Sequence, residues 1–193
     1  SSCFAALNAL VASSATAQTQ VIALFDHEEI GSESHHGAAG SFLGDVLSRL
    51  SGTDKEEGHR ALAKSLLISA DAAHAFHPNF AGAYEPLHHV QINEGPALKV
   101  NANQRYATDG KGAALFKAMA QKLKVPTQTY VHRTDLGCGS TIGPITSARL
   151  GIPTIDCGVP MWAMHSARES AGVKDQLALN RLLQGFLEEH LPQ

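Results

Sequence analysis

The sequence predicts an α/β domain with a mostly parallel central sheet flanked by helices. Short apolar runs alternate along the chain with segments of helical apolar spacing, the pattern of strands covered on both faces by the helices that connect them. Neither an internal repeat nor a composition shift divides the 193 residues, which are enough to bury one core.

Taken in order, residues 3–14 are rich in Ala and Leu and read as a helix with no capping signal before it. Residues 21–25 form a short apolar run suited to a buried strand. Phe42, Leu43, Val46, Leu47 and Leu50 recur at helical spacing and predict a helix ending near Gly52, followed by a polar connection over 52–58. Strands are expected at 66–70, 97–100, 127–132 and 153–157, with a helix at 112–122. Residues 173–191 predict an amphipathic helix with Leu179, Leu182, Leu183, Phe186 and Leu187 on one face. The irregular stretch 74–96 is too long for a plain connection, and such loops usually carry function.

Composition excludes several classes. Fifteen basic and 18 acidic residues give a net charge of −3 without a basic cluster, which argues against nucleic acid as a partner. No apolar run approaches the roughly 18 residues of a membrane span, and the N-terminus lacks a signal-peptide layout. Three unevenly spaced cysteines, Cys3, Cys138 and Cys157, make no disulfide framework and fit a reducing compartment, so a cytoplasmic location is expected. The chain begins Ser-Ser-Cys-Phe without Met, as expected of a processed protein or of part of a longer one.

In open α/β sheets ligands bind beyond the carboxyl ends of strands. The run 21–25 leads into Asp26, His27, Glu28 and Glu29; 66–70 leads into Asp71, His74 and His77; 153–157 leads to Met164, His165 and Ser166. Adjacent glutamates resist joint ionisation unless a cation or a proton-transfer task uses them. A metal answers both needs, one Glu coordinating while its neighbour serves as general base. The competing readings are a solvated acidic turn for Glu28 and Glu29, a helix cap for Asp71, and ordinary surface or core histidines for His27, His35, His36, His59, His132 and His190. No nucleophile elbow, P-loop or dinucleotide fingerprint is present. Cys138 lies among glycines and reads as a tight turn. Cysteine pairs for a zinc site are absent, so a metal here would have oxygen and imidazole donors, suiting Zn, Mn or Co.

Six blocks resemble the M18 metallopeptidases, the aspartyl aminopeptidase family: FDHEEIGSES (25–34), ISADAAHAFHPN (68–79), GPALKVN (95–101), QRYA (104–107), CGSTIGP (138–144) and AMHSARE (163–169). The resemblance implies the phosphorylase/hydrolase-like fold of co-catalytic dinuclear zinc aminopeptidases. It implies that Glu28 is the general base, that Glu29 and His165 hold one divalent metal and Asp71 the other, and that His74, Lys99 and Tyr106 contact a peptide substrate. Two zinc ions, or Mn or Co, would activate a water to remove N-terminal residues, preferably Asp or Glu. Lys99 suits an acidic first residue, against the alternative of a strand-end lysine in water. A homo-oligomer, typically a dodecamer, is also implied.

Three ligands are too few for two metals. The resemblance therefore implies that residues 1–193 are the C-terminal portion of the catalytic domain, with a histidine, a bridging aspartate and the dimerisation domain lying upstream. Two alternatives follow: a catalytically incomplete fragment that binds metal weakly or serves in assembly, and a related aminopeptidase preferring neutral first residues. The segment 81–90 is less similar than its surroundings, so the acidic preference is the less specific expectation.

Overall fold

The computed structural model describes residues 1–189. The end of the predicted last helix, with His190 and Leu191, lies outside them. The elements are α1 (Ser2–Ala12), a 3-10 turn (Glu28–Ile30), α2 (Phe42–Leu50), α3 (Lys55–Ala63), β1 (Leu67–Ala70), β2 (Ala73–His74), a 3-10 segment (Pro78–Ala83), β3 (Ala97–Val100), α4 (Gly110–Leu123), β4 (Gln128–Val131), α5 (Ile142–Leu150), β5 (Thr154–Gly158), β6 (Pro160–Trp162), β7 (Ser170–Ala171) and α6 (Val173–Glu188).

The central sheet has the order β1-β5-β3-β4. β1 runs parallel to β5 and β3 parallel to β4, while β3 and β5 meet antiparallel. A smaller sheet, β2-β6-β7, extends beyond it, with β2 parallel to β6. The period-two alternation of strands sorts the side chains. Ile155, Cys157 and Leu98 face a layer made by α1, α4 and α6, where they join Ala5, Ala9, Phe116, Leu179 and Leu182 in one core cluster. Asp156, Lys99 and Tyr130 therefore point to the opposite face, where Ala97, Val90, Tyr106 and Tyr130 make a second, smaller cluster. Ser69 pairs in register with Asp156, so Ser69 and Asp71 belong to that second face as well.

Two predicted features are corrected. The segment 21–25 is extended but pairs with no strand among the described residues, and Val21 and Leu24 stay substantially exposed. A strand exists only through a neighbour's backbone, and this run has none. It lines, with β1 and the apolar face of α2, a cleft of about 1400 Å³. β1 lies at the end of its sheet and its outer edge is open: Leu67 and Asp71 donate their amides to Pro153 and Cys157, which turns the intervening Ile68 and Ala70 amides away from β5.

The expected polar connection 52–58 runs instead into α3, whose composition (KEEGHRALA) carries too little apolar periodicity to be seen. Its cap was legible: Asp54 accepts from the amides of Glu56 and Glu57 at 2.9 and 3.2 Å. α5, with Gly143 and Pro144 in its first turn, also escaped the periodicity argument.

Candidate metal centre

Both segments that carry the candidate donors have unusual backbone. His27, just before the turn of Glu28 and Glu29, has φ 65°, and Gly31 after it φ 92°. Ala163 and His165 have φ 55° and 65°. Non-glycine residues in this region cost energy and cluster at functional sites.

The result is a convergence across 136 positions of sequence. His165 Nδ1 lies 2.7 Å from Glu29 Oε2 and 3.8 Å from Glu28 Oε2, and one donor atom from each of the three residues falls within 4.8 Å of the others. Glu169 fixes the backbone, accepting from the His165 amide at 2.6 Å. All three side chains remain half to two-thirds exposed, so an ion and a substrate have access. Two carboxylates and an imidazole suit a zinc-like ion, which prefers nitrogen and oxygen donors in this mixture and keeps a position open for catalysis.

The electrostatics of the cluster follow from partial burial and its neighbouring charges. Partial burial, then the neighbouring Asp71, Glu29 and Glu169 carboxylates, hold the Glu28 carboxyl above the ordinary range against the pull of His165. Burial works against a charge on His165, but the hydrogen bond with Glu29 and the charges of Glu28, Glu29 and Glu169 outweigh it and raise its pKa.

Asp71 is placed differently. Its carboxylate does not join the three-donor cluster but accepts from Lys99 Nζ at 3.0 Å. The Lys99 ammonium, 3% exposed, also donates to the Ala72 carbonyl at 2.8 Å and toward the Asp71 carbonyl at 3.4 Å. All of its three protons are thus directed at Asp71 and Ala72. The reading of Lys99 as a strand-end lysine in water is wrong, because β3 buries it beneath the face that carries the site.

Tyr106 is buried, with its ring 4.9 Å from Lys99 Nζ. The Cys138 thiol donates to its phenol oxygen at 3.4 Å. Burial first, then Cys138, raises the pKa of this phenol. His74 follows β1 into β2, and its ring lies 6.3 Å from that of Tyr130. Although its edge reaches solvent, the protein packed around it and then Lys99, His132 and His165 lower its pKa.

Sequence reasoning missed several members of this face. Tyr130 shares a 2.8 Å hydrogen bond with His132 Nδ1, and His132 Nε2 reaches the Gly137 carbonyl at 3.1 Å. Burial, then Cys138, pushes Tyr130 up to about 12. His132, which the sequence reads as ordinary, follows directly after β4 and two residues after Tyr130, and that spacing is the available signal. Cys138 does sit in a glycine-rich turn, but that turn closes on Tyr106. Asp156, hidden within an apolar strand, gave no signal. Among the described residues, His27 does not join the cluster but shares its Nδ1 with Ser34 at 2.6 Å, and His77, one of the strand-end residues, caps the Pro78–Ala83 segment through Asn79.

A family profile described as "Aminopeptidase I zinc metalloprotease (M18)" matches residues 1–187. The chain belongs to the M18 family. It is 49% identical over 199 residues to the "Probable M18 family aminopeptidase 2" of Mycobacterium tuberculosis, an alignment that takes in 100% of this chain and 46% of that protein. The M18 chain thus spans about half the length of the curated relatives it matches. Among solved structures, it is similar to a chain in the "Cryo-EM structure of the Ape4 and Nbr1 complex" (47% identity, TM-score 0.82, 84% of this chain and 31% of that one). It is also similar to the "S. cerevesiae mApe1 dodecamer" (34% identity, TM-score 0.74, 84% and 36%). Among the described residues, no helix is long and apolar enough to cross a membrane.

Proposed function

We propose that this M18 chain is the C-terminal portion of the catalytic domain of a metalloaminopeptidase that removes N-terminal residues, preferentially Asp or Glu, from peptides. The observation that carries the reading is the meeting of Glu28, Glu29 and His165 at the sheet's rim. Glu29 and His165 would hold one divalent ion and Asp71 a second, most suitably zinc, with Mn or Co as alternatives. When bound, such ions supply Lewis-acid polarisation of the scissile carbonyl.

The chain's own residues supply the rest. Glu28, within reach of His165 and Glu29 at the rim, accepts a proton from the attacking water and returns it to the departing amine. Tyr106 and His74 line the substrate side. Lys99 offers the positive charge that an acidic side chain would meet, exchanging one of its bonds to Asp71 or Ala72 for the substrate carboxylate. The whole protein works as a homo-oligomer in the cytoplasm on this reading, in keeping with the dodecameric neighbour and three free cysteines.

With zinc, the full-length protein should hydrolyse aspartyl and glutamyl arylamides faster than leucyl ones. Glu28→Gln should lower kcat by about 10²–10⁴-fold, the range of a general base. Wild-type turnover in that variant would remove Glu28 from its role, and equal rates on neutral arylamides would replace the acidic preference with a neutral one.

A second reading has its own observation. Asp71 is engaged by Lys99, and the free edge of β1 opens on the 1400 Å³ cleft, so residues 1–193 alone form an incomplete centre that binds metal weakly or serves in assembly. Calorimetric zinc titration of this chain decides: tight uptake of two ions excludes the incomplete centre.

A further inference from the structure

Asp156 is a fully buried carboxylate in the middle of β5, where an apolar residue would be expected. An unpaired charge there would be costly, and both of its oxygens are paired. Oδ2 accepts the Ala107 amide at 2.5 Å, and Oδ1 accepts the Thr141 hydroxyl at 2.7 Å. The backbone adds a clasp: the Asp156 amide donates to Thr108 Oγ1 at 2.9 Å, and that hydroxyl turns back toward the Asp156 carbonyl at 3.5 Å. Gly143 completes the fit, since a Cβ at that position would overlap both carboxylate oxygens.

These partners lie on two separate segments. Ala107 and Thr108 directly follow Tyr106. Thr141 and Gly143 begin α5 and directly follow the turn of Cys138. The two segments meet again above, where the Cys138 thiol reaches Tyr106 Oη at 3.4 Å and the Ser140 hydroxyl reaches the Arg105 carbonyl at 3.3 Å. Continuing the β3–β5 register by one residue sets Asp156 opposite Lys99, whose ammonium lies 4.9 Å from the Tyr106 ring. Asp156 itself is shut away from the site.

We propose that Asp156 is the positioning residue of the site's Tyr106 wall: its two oxygens lock the segment after Tyr106 to the segment after Cys138 and so fix the Tyr106 ring over Lys99. The importance of that ring to substrate rests on the aminopeptidase reading; the lock itself does not.

Thiol chemistry reads the lock without any peptidase assay. In a Cys3→Ser background, Cys138 is the half-buried thiol and Cys157 the fully buried one, so the rate of modification by Ellman's reagent reports the Cys138 turn. Thr141→Val removes one donor at nearly constant shape and should raise the Cys138 rate about fivefold, the population change of one lost hydrogen bond. Asp156→Asn should raise it at least as much, and the double variant no further than Asp156→Asn alone, because either change breaks the same bridge between the two segments. Thr141→Val should also shift the Tyr106 ring NMR signals while leaving those of Tyr84 in place. Asp175→Asn is the control: Asp175 is equally buried but braces the amides of Asn93 and Gly95, at 2.6 and 2.7 Å, and should leave the Cys138 rate unchanged. An unchanged Cys138 rate in folded Thr141→Val, or an equal rise in Asp175→Asn, overturns the proposal. If Asp156→Asn does not fold, the Thr141→Val rate and Tyr106 signals decide alone. A working lock together with an inactive full-length enzyme would separate it from the aminopeptidase reading.

Discussion

Alternate residues of the same strands build the two faces of the central sheet, and they obey different rules. On the helix-covered face Ile155, Cys157, Leu98 and Phe116 are held by burial of apolar area, which asks only for volume and fit. Burial also pushes the Cys157 thiol up to about 12, which leaves it inert. On the other face Lys99 and Asp156 are almost as deeply buried but carry polar, ionisable groups, so every oxygen and proton needs a partner in a set direction. The first face sets stability and the second sets geometry. The difference explains why the candidate site sits where it does: directional bonds at Lys99, Tyr106 and Asp156 hold a rim that apolar packing could not aim.

Three measurements would break or sharpen that division. The largest effect belongs to the apolar face: Phe116→Ala should cost about 3–5 kcal/mol in denaturant unfolding while leaving the Cys138 labelling rate of the folded protein unchanged. A cost below about 1 kcal/mol would show that this face is not where the stability lies. Next, Lys99→Met keeps the stem but strands Asp71 and the Ala72 carbonyl, and should cost about 1–3 kcal/mol. The figure is smaller than for a pair buried at both ends because the Asp71 side chain is 32% exposed and water can reach it.

The smallest effect is electrostatic. In the metal-free chain, NMR titration should find His165 above and His74 below the ordinary histidine value, and Glu29→Gln should bring His165 down. The sign for stability follows from the raised folded-state value. The His165–Glu29 pair stabilises the metal-free fold below the unfolded histidine pKa of about 6.5, and this contribution is lost as pH rises through the folded-state value. The stability gap between wild type and Glu29→Gln should therefore narrow as pH rises from the unfolded histidine value through the raised folded-state value of His165. A gap that widened would place the proton elsewhere.

The fold was legible wherever a single element carries its own signal. The paired strands at 67–70, 97–100, 128–131 and 154–158 fall within a residue or two of their apolar runs, and α6 follows its stripe of Leu179, Leu182, Leu183 and Phe186. Two helices escaped because α3 is nearly all polar outside Leu62 and its alanines, and α5 opens on Gly143 and Pro144. The run at 21–25 has the composition of a strand without the partner that would make it one.

At the site, the acids and histidine after the strands and the family motifs marked Glu28, Glu29 and His165 in advance, because the residue types themselves carry the chemistry. The approach of His165 to within hydrogen-bond distance of Glu29, the capture of Asp71 by Lys99, and the pairing of Asp156 with Thr141 and Ala107 were decided by tertiary structure. The physical reason is one of range. Periodicity, caps and donor types are properties of neighbouring residues, so the sequence alone determines them. A buried charge is settled only by which distant group the packed sheet brings to meet it, and Lys99, 28 positions from Asp71, and Asp156, 49 positions from Ala107, meet their partners only once β1, β3 and β5 lie side by side.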